Sequence, residues 1–577
     1  MSQAEPLFSG FPPVNHDTWK SRVLQELKGA DYSKIVWKTP EGFALAPWYN
    51  RSTSIASPAV PLNRLNNSWN ICECIDASQP ADAAAAISAA IIGGATAIEL
   101  HFTDPLQANA DTLRTMLGDL DLASVPVFVS GSFGDASALL DTLIALDGFS
   151  ANTGAILNET SEANPANAVK CPAGFRIMAV STEKYHASGA TITQELAIAL
   201  AGVSDLLSRA TDAGVDATAA ASAIEMVFCT GTSHFPELAK LRGFRAMWTQ
   251  LLAAYGVATE ACPAPSIFVR SSQRALSALD PYTNILRLST EAVSAILGGA
   301  DTIQLASFDP AGSVSEEFTG RITRNIHHLL REESGLDRVV DPAAGSFYID
   351  TLTATLCREA WTLFQEIEAA GGLKQAETEG MIATMISQAS DANRKAINSR
   401  KRSLIGINRY AVAPTAEVAN AIKAGAPVTV PEFEKLRVRA LEHAGKTGSA
   451  PRAALWLHGE PAKCFRVAAF AEDFLRCGGF EVTPGVSLDL ETRSCRSILQ
   501  DEPDIVVLCW TGEDDMKSLP AILDTMQELQ KGTVVIMASK PPENAEAYLK
   551  AGLDQFIHLG SDAYASLLSL QHKTGVL

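Results

Sequence analysis

The chain has 577 residues, is 47% hydrophobic, and sets 46 Lys and Arg against 65 Asp and Glu, for a formal net charge of -19. That length holds more than one core, and that charge repels nucleic-acid phosphates and anionic lipid, so no nucleic-acid or membrane partner is expected. The start, MSQAEPLFSG, lacks the positive flank and apolar run of a secretory signal, which points to the cytoplasm.

Residues 1–55 read as an arm. Asn15 to Gly29 has helical spacing (Trp19, Val23, Leu24, Leu27), Thr39-Pro40-Glu41-Gly42 is a turn, and the aromatics Trp37, Trp48 and Tyr49 have no local core. Such a segment folds back on the main body or packs on another chain.

Residues 56–365 alternate short apolar runs with longer helical periodicity. Eight strand candidates follow in order: Trp69–Ile75, Ala97–Phe102, Val127–Ser130, Ala155–Asn158, Arg176–Ser181, Ala223–Phe228, Ile267–Arg270 and Thr302–Ala306. Eight β-α units over this length predict an α/β fold of the (β/α)8, TIM-type barrel class. The sixth run lies beside a long helical pattern.

Leu352 to Ala370 is helical, Gly371-Gly372 stops it, and residues 366–450 form a charged, helical linker. Residues 451–577 carry five strand candidates: Ala453–Leu457, Phe480–Thr483, Ile505–Trp510, Thr533–Ala538 and Phe556–Leu559. Between the third and fourth, Ser518, Pro520 and Gly532 stand in the order of helix start and stop signals. A flavodoxin-like α/β domain is expected, with the turn His458–Cys464 where such folds hold cofactors.

Most familiar chemistry is absent. There is no GxSxG, no HExxH, no GxGxxG after a strand, and no CxxC among ten scattered cysteines, so no metal site is expected. Gly445-Lys446-Thr447 lacks the earlier glycine and strand of a phosphate loop and reads as a helix end. The adjacent His327-His328 point about 100° apart on a helix, unlike the i, i+4 pair that chelates one metal, and read as a solvated or partly packed pair. His101 alternates with apolar residues and lines the barrel. Tyr185-His186 follows a barrel strand's carboxyl end, where barrel active sites are built.

Several segments resemble the methylmalonyl-CoA mutase family. They are Leu27-Lys28-Gly29, Thr39–Gly42, Glu237–Arg242, Asp280–Asn284, Arg321–Asn325, Glu332–Ser334, Asp341–Tyr348 and Leu404–Tyr410. The resemblance implies a barrel that threads acyl-CoA, a linker, and a cobalamin-binding-type domain. In catalytic members the cofactor's radical interconverts succinyl and methylmalonyl skeletons inside a sealed barrel.

The departures are systematic. Catalytic members bind cobalt through D-x-H-x-x-G in the first turn of the last domain, the aspartate orienting the imidazole. Here that turn holds only His458, with Trp456 two residues before it, and none of the ten histidines has an aspartate two before it. After Val534–Met537 the chain reads Ala538-Ser539-Lys540-Pro541 in place of a glycine-rich stretch. The tyrosine-bearing segment after the arm is missing. The family's Gly-Tyr-His aligns with Thr182-Glu183-Lys184, leaving Tyr185-His186 two residues away, and Leu-His-Thr-Asn is replaced by Ile303-Gln304-Leu305-Ala306.

The resemblance thus implies a non-catalytic member that supports a large catalytic mutase subunit as its heterodimeric partner. Adenosylcobalamin would be held by that partner, with no cofactor, metal or catalytic residue in this chain. The alternative is a self-sufficient acyl-CoA isomerase with atypical cobalamin binding, for which Lys184, His186 and Gln304 are the barrel-mouth candidates.

Overall fold

The computed structural model describes residues 10, 14–56, 60, 65–105, 108–133, 135–146, 148–149, 154–157, 172, 174–423, 431–488, 491–511, 519–530 and 532–577. They fall into two units. The first comprises residues 1–271, 290–305 and 324–389, and the second 272–289, 306–323 and 390–577.

In the first unit, a two-stranded ribbon pairs β1 (Trp37–Lys38) with β2 (Ala44–Leu45). A parallel sheet follows: β3 (Asn70–Asp76), β4 (Ala97–Phe102), β5 (Val127–Gly131), β6 (Gly154–Leu157), β7 (Phe175–Arg176), β8 (Met178–Ser181), β9 (Ile224–Thr230), β10 (Ser266–Ser271) and β11 (Thr302–Gln304). Its order, β7-β6-β5-β4-β3-β11-β10-β9-β8, is a ring, because β7 and β8 are two halves of one extended run broken at Ile177. The eight expected strands are therefore present. The sixth, beside its helical pattern, is buried at every one of its seven positions, whereas the eighth stops at Gln304. Asn158, assigned to the fourth, lies outside the described residues.

The barrel is wrapped by helices whose starts follow local chemistry. Thr191 caps Ile192–Asp212 in a reciprocal box with Gln194, and this helix packs with His234–Ala254 and Phe347–Ala369. Among the described residues no helix is long and apolar enough to cross a membrane.

The arm folds back on its own chain. Asn15 caps the helix His16–Glu26, Trp48 lies 4.8 Å from Trp19 and stacks on His16, and Tyr49 packs on Tyr348. His327 and His328 separate as their helical angle requires. His327 is buried and its Nδ1 accepts the Trp69 indole N–H at 3.1 Å. Burial, then the charge of Arg331, pushes its pKa down to about 3, while His328 reaches the Gly93 carbonyl.

In the second unit, a five-stranded parallel sheet contains β12 (Arg452–His458), β13 (Glu481–Ser487), β14 (Ile505–Trp510), β15 (Val534–Met537) and β16 (Gln555–Phe556). The order β13-β12-β14-β15-β16 is the flavodoxin-like arrangement. Alternate residues of one strand feed opposite cores: Leu455 and Leu457 join Phe474 and Ile505 on one face, while Trp456 joins Leu508, Leu523 and Met526 on the other. The helix after β14 spans Leu519–Leu529, and Ser518, its expected cap, lies outside the described residues. Gly445–Thr447 ends the helix Glu434–Thr447, closed by left-handed Gly448.

Candidate functional site

The barrel axis is crossed by side chains. In the ring, β5 and β10 stand opposite each other, and their Phe128 and Phe268 meet edge to face with centroids 4.9 Å apart. With Cys72, Ala97, Ala155, Leu157 and Val227 they form a buried apolar layer.

Two residues further along each strand lies a charged layer. Glu99 and Arg270 form a fork, Oε1 to Nη2 at 2.6 Å and Oε2 to Nη1 at 2.9 Å. Ser130 donates to Glu99 at 2.5 Å, His101 Nδ1 lies 2.9 Å from Ser130 Oγ, and Glu183 approaches Arg270 Nε at 3.2 Å. Burial opposes the Arg270 charge, but the Glu99 and Glu183 carboxylates outweigh it and hold the guanidinium pKa above its ordinary value. On the other side of the aromatic layer, Glu225 accepts from Ser266 at 3.1 Å and lies 3.5 Å from Arg176. Burial lifts its pKa to about 7, against the opposing pull of Arg176.

The three sequence candidates do not converge. Gln304 joins the axial layer, its Oε1 accepting from Arg270 Nη1 at 3.4 Å. Lys184 and His186 lie on a short helix, Glu183–Ser188, that follows β8. Lys184 pairs with Glu377 at 3.0 Å, to which Tyr185 also donates at 2.6 Å. Both line a cavity of about 340 Å³ with Asp205, Arg209 and Lys374.

His186 is buried against Glu195 at 2.7 Å, and Lys240 joins the same carboxylate at 2.9 Å and Glu237 at 2.7 Å. Burial alone would raise the Glu195 pKa, but Lys240 and His186 bring it below the usual value. This charge cluster ties the helices Glu183–Ser188, Ile192–Asp212 and His234–Ala254 together. The polar groups that cross the axis, Glu99, Ser130 and Arg270, were not among the sequence candidates. The available signal was a charge in the middle of an otherwise apolar strand, which burial obliges to find a partner.

Residues 164–454 match the family described as methylmalonyl-CoA mutase. The chain belongs to the methylmalonyl-CoA mutase family. It is similar to the methylmalonyl-CoA mutase small subunit of Porphyromonas gingivalis, at 28% identity over 100% of this chain and 99% of that one. A probable methylmalonyl-CoA mutase small subunit of Mycobacterium tuberculosis is 27% identical over 93% of this chain and 92% of its own length. The methylmalonyl-CoA mutase of Rhizobium meliloti is 34% identical, over 41% of this chain and 33% of that one.

The mutase family implies a cobalamin at the turn after β12. His458 Nδ1 faces the Leu488 carbonyl at 3.2 Å, and the Trp456 indole N–H donates to that same oxygen at 3.2 Å. The imidazole stands edge to face with Trp510, 5.8 Å between centroids. Gly459 is left-handed, and a Cβ there would lie 2.4 Å from Thr511 Oγ1. Cys464 Sγ donates to the His458 carbonyl at 3.1 Å. The turn lacks the carboxylate that orients the cobalt-ligating imidazole in catalytic members: His458 Nδ1 meets a backbone carbonyl in its place, and an indole stands edge to face with the ring. Among the described residues no group of three or more His, Cys, Asp or Glu could hold a metal ion.

Proposed function

We infer that this chain is the non-catalytic small subunit of a heterodimeric, cytoplasmic methylmalonyl-CoA mutase. It stabilises a large subunit that binds adenosylcobalamin and interconverts succinyl-CoA and methylmalonyl-CoA, the isomerisation used in propionate metabolism. Similarity to two small subunits over nearly the whole chain supports the assignment. The observation that carries the non-catalytic reading is the axis itself. A thioester arm threading a barrel needs an open lumen, and here Phe128 meets Phe268 across it with Arg270 forked to Glu99 beyond. No residue of the lumen or of the β12 turn is assigned a catalytic or cofactor role.

The test uses the full chain, the large subunit and their mixture, each with adenosylcobalamin, followed by visible spectrum and by succinyl-CoA isomerisation. The isolated chain should leave the cofactor spectrum unchanged and show no turnover, while raising the thermal midpoint of the large subunit. Turnover or tight cofactor binding by the isolated chain overturns the reading.

A further inference from the structure

Within a chain of net charge -19, residues 392–416 carry Arg394, Lys395, Arg400, Lys401, Arg402 and Arg409 and no Asp or Glu. This basic stretch includes Leu404–Tyr410, a family-like segment to which neither the lumen nor the β12 turn gives a role.

The loop is held in a set shape. Buried Asn408 accepts from the Leu404 N–H at 2.7 Å and donates to the Ile397 and Arg402 carbonyls at 2.9 Å each. Arg437 donates to the carbonyls of Gly406, at 2.8 Å, and Val412. Arg400 and Tyr410 are both non-glycine residues in the left-handed region, at φ 58° and 53°. One carboxylate holds both: Asp473 pairs with the Arg400 guanidinium and accepts the Tyr410 N–H at 2.5 Å.

This conformation strains two L-residues, and its product is an outward-facing aromatic ring. Tyr410 is 65% exposed, and Ile405 and Val412 beside it are about half exposed. Arg287 donates to the Ile405 carbonyl, which sets the first turns of the helix Pro281–Gly298 against the loop. That helix adds exposed Tyr282 and Leu286, one turn apart on one face. An aromatic anchor among arginines, on a rigid loop with an apolar centre and a basic rim, has the composition of an interface hot spot.

We propose that Arg400–Val412, with the first turns of Pro281–Gly298, is a docking surface for an acidic face of a partner protein, the large subunit. This rests on the small-subunit reading given above. Charge selects the occupant: Asp473 neutralises Arg400, but Lys401, Arg402 and Arg409 leave the loop net positive, which attracts an acidic protein face at long range and fixes its register.

Two variants of the full chain, Tyr410→Gly and the pair Lys401→Glu with Arg402→Glu, are measured for binding to the large subunit and for thermal midpoint. Glycine relieves the left-handed strain, so Tyr410→Gly should leave the midpoint unchanged or raised while weakening binding about tenfold or more. The charge reversal should weaken binding further at low salt than at high salt. Binding within twofold of wild type in both variants overturns the proposal, as does a fall in midpoint that parallels the loss of binding. Self-association of the wild-type chain abolished by Tyr410→Gly overturns it in favour of a second copy. Failure of the wild-type chain to bind the large subunit overturns the small-subunit reading together with this one, whereas wild-type binding that both variants retain removes only this surface.

Discussion

The barrel lumen and the turn after β12 are both places where related folds keep a ligand, and this chain fills them with different chemistry. The lumen is filled by charge turned inward: Glu99, Arg270 and Glu225 are retained in apolar strands and paired with one another or with Ser130, Ser266 and Arg176. The turn is closed by neutral groups, with an imidazole and an indole sharing one carbonyl. A buried charge depends on its partner, while a neutral contact can be lost singly. The first region should therefore be sensitive to single substitutions and the second tolerant of them.

The sharpest test is Arg270→Ala, which strands the Glu99 carboxylate in the lumen and should destabilise the fold by about 3–5 kcal/mol in urea unfolding. The double variant Arg270→Met with Glu99→Leu should recover most of that loss. Equal losses in the two variants would mean that the charge pair is not what holds this layer. Phe268→Ala removes one half of the aromatic bridge and should lose roughly 3–4 kcal/mol through the cavity it leaves.

Glu225 offers a pH readout with a definite sign. Its pKa in the folded protein, about 7, lies above the reference 4.5. Between those values the unfolded chain gives up the proton first, so stability falls as pH rises through pH 4.5–7, by about 3 kcal/mol at the limit. Glu225→Gln should flatten that slope and be the more stable form at pH 8. A slope unchanged in the variant would assign it to other groups. The smallest effect belongs to the turn, where His458→Ala should lose about 1 kcal/mol for one hydrogen bond and leave turnover of the complex unchanged. A large loss there would erase the contrast.

The strands were legible because burial leaves a local mark: apolar runs such as Ala97–Phe102 and Ile505–Trp510 stop at the residues where the structure ends them. The positions of Lys184 and His186 were less legible. The six residues Glu183–Ser188 form a single helical turn or two, too short for any periodicity to declare. The axial bridges were hidden for another reason. Phe128 and Phe268, or Glu99 and Arg270, are partners only because the ring brings distant strands together across its lumen, and no local pattern encodes that.

That ring also fixes an order of events. Its closing ladder joins β3 to β11, with Cys72 aligned to Gln304, and the Glu99–Arg270 fork joins residues 171 apart in the chain. Such long loops close late and slowly. Until they close, Glu99 faces water and the two phenylalanine rings lie apart, so formation of the axial layer is a clock for completion of the barrel. Burial of Phe128 and Phe268 during refolding should lag the appearance of helix.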